Sequence, residues 1–329
     1  MMNKIFSVFL LFISITLLAQ NDSNTSLIKP PSLQKGDMVM IVAPAGIVRD
    51  SVGVKNGIDL LKKWGLKVKL GKNLFNQHFR FAGTDEERLA DFQEALDDDN
   101  VKAIWCARGG YGAIRILDDL DFTKFKQNPK WIIGFSDITA FHNEVHIMGI
   151  ETMHGIMPLT YKPDSKEQRQ ALKSLKRAFF GKRVKYRVAE SDFNREGTTE
   201  GEVVGGNLSL VYSMLGSKSQ IDANGKILFL EEVGEALYHI DRMMISLKRA
   251  GYFENCKGLI IGGMSDRKTD ASEFGMTYEE IILDAVKEYD FPVAFDFPAG
   301  HITDNRTLIL GRKIELKVKG SKTVVKFEK

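Results

Sequence analysis

Predicted strands and helices alternate through the first half of the sequence. Apolar runs at residues 37–43, 66–70 and 101–106 have the length of buried strands, while amphipathic patterns at 52–64 and 84–96 predict helices between them. Parallel neighbours in a sheet need a crossover connection, so this alternation predicts a parallel sheet flanked by helices. In such sheets ligands bind beyond the carboxyl ends of the strands.

The second half of the sequence repeats this alternation. Residues 226–230, 257–263 and 292–297 are predicted strands, and 277–289 is a predicted helix. The charged segment 161–197 lies before them and is interpreted as a connection between domains. These patterns predict an α/β protein with an amino-terminal parallel-sheet domain and a carboxyl-terminal α/β domain.

The length and composition allow an ordinary folded enzyme. A chain of 329 residues with 43% hydrophobic residues can bury a large core, and its length suggests one large domain or two smaller ones. With the connection at 161–197, we place two domains at residues 32–160 and 198–320. The net charge of +3 is too small and too evenly spread to indicate nucleic-acid binding. Cys106 and Cys256 form no CxxC pair, which excludes a thiolate zinc site.

The amino terminus has the layout of a secretory signal peptide. Lys4 precedes an apolar run at residues 5–18, and Ala19 and Gln20 precede a polar stretch. The run is shorter than the roughly 20 residues that a membrane-spanning helix needs, which argues against an anchor. We expect cleavage near residue 20, no membrane attachment afterwards, and export, to the periplasm in a cell with two membranes. A cytoplasmic location is the alternative.

Ser136 is a candidate nucleophile. The apolar run that begins at Trp131 reads as a buried strand, and a helical pattern starts after Asp137, so Ser136 falls on the turn between them. A serine on such a turn can project toward a substrate, with the helix N-terminus near any oxyanion. Alternatively, Ser136 and Asp137 only cap the helix. The position two after the serine is Ile138, where the elbow of α/β-hydrolases has glycine.

The loop at residues 108–112 is a candidate binding loop at the same edge of the sheet. Gly109 and Gly110 allow the backbone to approach a ligand and to direct N–H groups at an anion, while Arg108 can hold a carboxylate with two parallel hydrogen bonds. A plain turn is the alternative. A nucleotide site is disfavoured, because the lysine and serine or threonine of a P-loop are missing.

The helix after Ser136 contains a pattern typical of zinc sites. His142 and His146 are separated by one helical turn, and His154 could add a third ligand. The position of Glu144 does not match H-E-x-x-H, however. We expect no metal and no other cofactor.

Two further candidates follow predicted strands in the second half. Glu231 and Glu232 end the strand at 226–230, and His301 follows the strand at 292–297 behind Gly300. A serine nucleophile needs a base, usually histidine, and a carboxylate that orients it. Ser136, His301 and Glu231 could together meet that need, although lone histidines and glutamates at strand ends are common.

Several motifs, in order, resemble those of the LD-carboxypeptidases, the muramoyltetrapeptide carboxypeptidase family of serine peptidases. They are C-A-R-G-G-Y-G at 106–112, G-F-S-D at 134–137, G-G-N-L at 205–208, L-E-E-V-G-E at 230–235 with Y-x-I-D-R at 238–242, and G-H at 300–301 followed by Asn305. The resemblance runs from about residue 35 to residue 311. It implies two α/β domains with the active site between them.

The resemblance also implies roles for individual residues. Ser136 would be the nucleophile, with Glu231 and His301 completing the triad; Glu231 is preferred to Glu232 by the motif alone. The oxyanion hole would be formed by backbone N–H groups near Gly109 or Gly110 and of Asp137. Arg108 and Asn207 are further candidates for contacts with the substrate.

The implied reaction removes the terminal D-alanine from a murein tetrapeptide, which makes a murein peptide the expected partner. Two alternatives stay open. One is an immunity-type peptidase that cleaves peptide-nucleotide antibiotics with the same triad. The other is an exported protein that binds cell-wall peptides without cutting them. A homodimer also stays open.

Overall fold

The computed structural model of the protein describes residues 27–268, 271–320 and 322–328. The predicted signal peptide, residues 1–20, lies outside the described residues. Within them the strands form two sheets, one of six strands and one of seven. No helix in this part of the chain is both long enough and apolar enough to cross a lipid bilayer.

Helices and strands follow one another along most of the chain. The strands are β1 (Met38–Val42), β2 (Lys67–Leu70), β3 (Val101–Cys106), β4 (Trp131–Gly134), β5 (Thr152–His154), β6 (Lys185–Val188), β7 (Gly197–Asn207), β8 (Ile227–Val233), β9 (Gly258–Ser265), β10 (Val293–Ala294), β11 (Leu308–Leu310), β12 (Lys313–Lys319) and β13 (Lys322–Phe327). The α-helices are α1 (Ser51–Lys63), α2 (Asp85–Asp97), α3 (Ala113–Ile116), α4 (Thr123–Gln127), α5 (Thr139–Ile147), α6 (Arg169–Phe179), α7 (Leu208–Ser213), α8 (Leu237–Arg249), α9 (Ala271–Phe274) and α10 (Tyr278–Ala285).

The first sheet has the strand order β2-β1-β3-β4-β5-β11. Its first five strands are parallel, and β11 pairs antiparallel with β5, so that Leu308 lies opposite His154. The parallel sheet predicted from the alternation is therefore confirmed. One strand of this sheet comes from the far end of the sequence, which ties the two halves of the chain together.

The second sheet has the order β10-β9-β8-β7-β12-β13-β6. The strands β7 to β10 are parallel, and β12, β13 and β6 continue the sheet in antiparallel pairs. β8 is buried along nearly its whole length, as expected for a parallel strand that is covered on both faces. The predicted fold class, two α/β domains, is confirmed.

Local sequence signals explain the helix boundaries. Thr84 and Glu87 form a capping box at the start of α2, each side chain bonding the other residue's backbone N–H, as the T-x-x-E pattern predicts. In α8, Leu237, Met244 and Leu247 are buried at helical spacing. These helices pack against the faces of the sheets. The loops that follow the parallel strands begin at the carboxyl ends of those strands.

The segment at 292–297 is a shorter strand than predicted. Only Val293–Ala294 pairs with β9. Pro292 has no N–H to donate, and Asp296 has a φ of +55°, which turns the chain out of the extended conformation. The strands β6, β12 and β13 were not predicted, because their alternating charged residues do not resemble the apolar runs of the buried strands.

Candidate active site

Ser136 lies two residues after β4, on a sharp turn into a helix. It begins a 3-10 helix, Ser136–Ile138, that continues into α5, and its φ of +65° is in the left-handed region that non-glycine residues rarely adopt. Gly134 makes this turn feasible, since a Cβ there would lie 2.8 Å from Cγ1 of Ile138. The local geometry is that of a nucleophile elbow with the first of its two glycines retained.

His301 joins Ser136 to Glu231. Its Nε2 lies 3.0 Å from Oγ of Ser136, and its Nδ1 lies 2.6 Å from Oε2 of Glu231. Ser136 follows β4 of the first sheet, whereas Glu231 is in β8 of the second sheet and His301 follows β10. The structure therefore brings these three predicted residues together at the junction of the two sheets.

The environment of Glu231 determines the tautomer of His301. The Glu231 side chain has 0% of its surface exposed, and its Oε2 also accepts the backbone N–H of His301 at 3.2 Å. An ionised carboxylate can only accept hydrogen bonds, so Nδ1 of His301 carries a proton. In the neutral imidazole, Nε2 is then free to accept the proton of the Ser136 hydroxyl.

The loop that carries His301 is held close to Glu231. Gly300 has a φ of +107°, and a Cβ there would lie 2.7 Å from Cβ of Glu231. Asn305 Oδ1 accepts the N–H of Gly300 at 2.9 Å, and the Ser265 hydroxyl donates to the carbonyl of His301 at 2.9 Å. Glycine is required here by both conformation and space, and the two hydrogen bonds fix the imidazole in place.

The pKa of His301 reflects two opposing effects. Burial disfavours the imidazolium, but the hydrogen bond with Glu231 and the negative charges of Glu231, Glu232 and Asp266 outweigh it. The pKa of His301 is consequently raised above its ordinary value of 6.5. A histidine tuned in this way is stabilised as the imidazolium that forms when it takes a proton.

The adjacent glutamates have different partners. An irregularity in the pairing of β8 with β9 lies between Leu230 and Glu232. Glu232 accepts hydrogen bonds from Asn207 Nδ2 at 2.9 Å and from the Ser209 hydroxyl at 2.6 Å, and burial raises its pKa. Glu231 therefore contacts His301, while Glu232 secures the neighbouring strand end.

Asn207 lies beside Glu231 in the parallel pairing of β7 with β8. Its side chain is engaged within the protein, because Nδ2 donates to Glu232 and Oδ1 accepts the N–H of Leu210, which caps α7. Its backbone N–H donates to the Thr139 hydroxyl at 3.0 Å and links β7 to α5. A contact between Asn207 and substrate stays a prediction.

The glycine loop after β3 packs directly against Ser136. A Cβ at Gly109 would lie 2.9 Å from Cβ of Ser136 and 3.2 Å from the backbone nitrogen of Asp137. Gly109 is held by its carbonyl, which accepts the N–H of Gly46 at 3.0 Å, and Gly110 has a φ of +110°. Only a residue without a side chain allows the backbone to come this close to the serine.

The Asp137 side chain has a structural partner. Its Oδ2 accepts the N–H of Ala113 at 2.7 Å at the start of α3. Burial raises the pKa of Asp137 to about 6, against hydrogen bonds from Ala113 and Gly112 that lower it. The carboxyl group thus supports the glycine loop, and the backbone N–H is the part of Asp137 that lies beside Gly109.

Arg108 is half-buried next to the turn at Gly46. Its Nη1 donates to the carbonyl of Ile47 at 3.0 Å, and it forms no ion pair with any residue that the structure describes. Burial, followed by the charges of Arg49 and Arg80, lowers its pKa. The guanidinium therefore adds positive charge near the site, and no acidic side chain of the described residues pairs with it.

The three histidines of the alternative zinc pattern contact other residues of the protein, and the ring of His154 packs against Phe135 and Phe229. His142 donates from Nε2 to the carbonyl of Gly134 at 3.0 Å, and burial lowers its pKa to about 4. His146 pairs with Glu202 at 3.4 Å. Among the described residues, no three His, Cys, Asp or Glu side chains are grouped so that they could hold a metal ion. His142 instead supports the strand end that precedes Ser136.

Some residues of the site were missed by the sequence analysis. The ring of Phe135 packs edge-on against His301 with 4.9 Å between centroids, and Ser265 bonds the His301 carbonyl. Phe135 belongs to the G-F-S-D motif but was given no role, and Ser265 had no signal beyond its position at the end of a strand. Asn305 had one, since it belongs to the motif that begins with Gly300.

Comparisons with known proteins identify both halves of the chain. A family model described as the LD-carboxypeptidase N-terminal domain matches residues 39–155, and one described as the LD-carboxypeptidase C-terminal domain matches residues 200–316. A protein of Bacillus subtilis named "Probable murein peptide carboxypeptidase" is 37% identical over 288 residues, which are 87% of this chain and 90% of the relative.

Three further proteins are similar along most of their length. The murein tetrapeptide carboxypeptidase of Pseudomonas aeruginosa is 28% identical and is matched over 83% of this chain and 91% of its own. The crystal structure of muramoyltetrapeptide carboxypeptidase from Oxalobacter formigenes has a TM-score of 0.81 at 29% identity, covering 89% of this chain and 99% of that one. The microcin C7 self-immunity protein of Escherichia coli is 25% identical over 79% of this chain.

Proposed function

Because the chain belongs to the LD-carboxypeptidase family, we propose that it is a serine peptidase that removes the terminal D-alanine from murein tetrapeptides. The unbroken series of hydrogen bonds from Ser136 through His301 to Glu231 carries this proposal. The names of the relatives from Bacillus subtilis and Pseudomonas aeruginosa support a murein peptide as the substrate. A protein that only binds peptides would have no need of this series.

In the first half of the reaction, Ser136 attacks the carbonyl carbon of the scissile amide. Nε2 of His301, 3.0 Å away, takes the hydroxyl proton as the new C–O bond forms. Glu231 stabilises the resulting imidazolium and does not itself become protonated. The tetrahedral intermediate then collapses, His301 gives the proton to the leaving amine, and free D-alanine departs from an acyl-enzyme ester on Ser136.

In the second half of the reaction, a water molecule takes the place that D-alanine has left beside His301. His301 takes a proton from the water as its oxygen attacks the ester, and it returns that proton to Oγ of Ser136 when the C–O bond breaks. The shortened peptide leaves with a new carboxyl end. Water is the only co-substrate consumed, and the three side chains return to their starting states.

The oxyanion of each tetrahedral intermediate needs hydrogen-bond donors. We assign this role to backbone N–H groups of Asp137 and of the loop at Gly109 and Gly110. The assignment is supported by the close approach of Gly109 to both Ser136 and the nitrogen of Asp137. Fixed donors at this position stabilise charge that develops only in the transition state.

A carboxypeptidase must also recognise the free carboxylate of the last residue. Arg108 is our candidate, because it is half-buried, lies on the same loop as Gly109 and has no acidic partner among the described residues. A planar guanidinium can hold a carboxylate by two parallel hydrogen bonds. The Ile47 carbonyl engages Nη1, so Nη2 and Nε are the atoms available in this proposal.

The products of the reaction test the proposal directly. The purified protein should be incubated with murein tripeptide, tetrapeptide and pentapeptide, followed by mass analysis. We expect loss of a single alanine from the tetrapeptide and an unchanged tripeptide. Cleavage of a peptidyl nucleotide with no action on the tetrapeptide would favour the immunity-type activity instead.

A further inference from the structure

A basic segment of the chain lies outside the proposed active site. Residues 168–189 contain eight lysines and arginines and no aspartate or glutamate, although the net charge of the whole chain is only +3. The segment includes α6 and β6, which belong to different layers of the fold. Its charge is therefore a local feature of the molecule, and the fold determines whether the cations converge.

The cations do converge, around a cavity of about 520 Å³ between α6, β6 and the loop before β11. This volume is within the range of about 300–1,000 Å³ that is typical of small-molecule sites. No acidic side chain of the described residues lines the cavity, and neither does Ser136, Glu231 or His301. The basic residues that line it are Lys173, Arg177, Arg183, Lys185, Arg187 and Arg306.

Two of these six cations are held by partners within the protein. Arg306 pairs with Asp304 at 2.7 Å, and Arg177 donates to the carbonyl of Arg183. The other four form no ion pair with any residue in the part of the chain that the structure describes; they are Lys173, Arg183, Lys185 and Arg187. Like charges this close repel one another, and a bound anion would relieve that repulsion.

β6 presents its two cations on one face. Lys185 and Arg187 are exposed, while Tyr186 between them is buried and donates from its hydroxyl to the carbonyl of Thr307 at 2.5 Å. Because β6 is the edge of its sheet, charged residues there also discourage pairing with another sheet. That role does not require Lys173, on a separate helix, to line the same cavity.

From this arrangement we infer that the cavity binds a phosphate-bearing anion with at least two negative charges. Arginine matches the geometry of phosphate oxygens, and lysine adds charge without fixed direction. A single carboxylate would leave most of the four unpaired cations uncompensated. Soluble diphosphates and the phosphate groups of lipid surfaces share this chemistry, so the test separates them.

Calorimetric titration with pyrophosphate, at constant ionic strength, measures the site. We expect the double variant Lys173→Gln with Arg187→Gln to weaken binding at least about tenfold, since it removes two of the four cations that form no ion pair and with them their charge-assisted contacts to the anion. The matched control is Lys62→Gln with Lys63→Gln, which removes the same charge from exposed positions on α1. The control should bind within about twofold of the wild type, because neither Lys62 nor Lys63 lines the cavity.

Each outcome bears on the inference. Binding of pyrophosphate with the expected loss supports a soluble ligand, and binding to phosphatidic acid vesicles alone, with the same loss, supports a lipid phosphate. Equal loss in both variants, or no wild-type response to either pyrophosphate or the vesicles beyond that of sodium chloride, would overturn the site. Circular dichroism confirms that the variants are folded, and their unchanged peptidase activity keeps this test separate from the proposed function.

Discussion

The carboxylate of Glu231 accepts two hydrogen bonds from His301, one from Nδ1 at 2.6 Å and one from the backbone N–H at 3.2 Å. One residue thereby fixes both the orientation of the imidazole and the position of the loop that carries it. Gly300 makes this possible, because a side chain there would collide with Glu231.

Removing either the nucleophile or the base should abolish turnover. We expect Ser136→Ala and His301→Ala each to lower kcat by at least about 10³-fold, and the double variant to lose little more, because triad members act as a unit. The assay is release of D-alanine from murein tetrapeptide. Ser213→Ala, at an exposed serine on α7, is the control and should retain full activity. Substantial activity in folded Ser136→Ala would exclude the serine mechanism.

Substitutions at the two adjacent glutamates should have different effects, one on activity and the other on stability. Glu231→Gln should lower kcat by about 10³- to 10⁴-fold with little unfolding, because the amide can leave His301 in the wrong tautomer. Glu232→Gln should retain its turnover but lose about 1–3 kcal/mol of stability, because some donors from Asn207, Ser209 and Val233 would face an NH₂ group. Denaturant unfolding and kcat, measured on both variants, test this. The reverse pattern would make Glu232 the triad member.

The activity should fall on the acid side of neutrality. His301 must be neutral to accept a proton, and its pKa is raised above 6.5, so kcat/KM should decrease as the pH falls through that raised value. Asp137, with a pKa of about 6, could produce a similar limb. Glu231→Gln distinguishes them, since it should move only the limb of His301, to lower pH. A limb that stays in place in this variant would belong to another group.

Blocking the end of the substrate should reveal the carboxylate contact. Amidation of the terminal D-alanine should lower kcat/KM by about tenfold to a hundredfold, as expected for a charge-assisted hydrogen bond worth about 1.5–3 kcal/mol. Arg108→Lys should also be impaired, because an ammonium cannot form two parallel bonds. If Arg108 is the contact, Arg108→Ala should affect the free peptide more than the amidated one. An equal loss on both substrates would assign Arg108 a structural role.

The predicted signal peptide determines the expected cellular location of the protein. We expect cell fractionation and amino-terminal sequencing to find a mature chain that begins near residue 20, outside the cytoplasm, because Lys4 and the apolar run after it have the layout of an export signal. A Lys4→Glu variant should be exported less efficiently. A full-length product confined to the cytoplasm would contradict export.

The sequence predicted the buried parallel strands better than the rest of the fold. The run at 101–106 corresponds to β3 without a shift, since continuous apolar residues and a following glycine loop mark a strand covered on both faces. β6 was assigned to a connecting segment because Lys185 and Arg187 alternate with Tyr186 at an exposed sheet edge. An edge strand forms because a neighbouring strand pairs with it. The hydrophobic periodicity of a segment contains little information about which other segment will lie beside it.

The site was predictable as a set of positions but not as a geometry. Motifs indicated Ser136, Glu231 and His301, and the fold brings them within hydrogen-bonding distance. Sequence spacing could not show that Glu231 and Glu232 face different partners, because that depends on the irregular pairing beside Leu230. The close packing of Gly109 against Ser136 is likewise a contact between distant segments, which no local pattern encodes.

The pairing of β11 with β5 has a consequence for synthesis on the ribosome. When residues up to 160 have emerged, the segments of all five parallel strands of the first sheet have been synthesised. The edge of β5 that pairs with β11 in the complete protein still has no partner. Its partner, β11 (Leu308–Leu310), is made only near the end of the chain, a few residues after His301. A nascent chain that ends before His301 therefore lacks both the sixth strand of the first sheet and the proposed base for Ser136, so this sheet and the proposed chemistry are completed at nearly the same stage of synthesis.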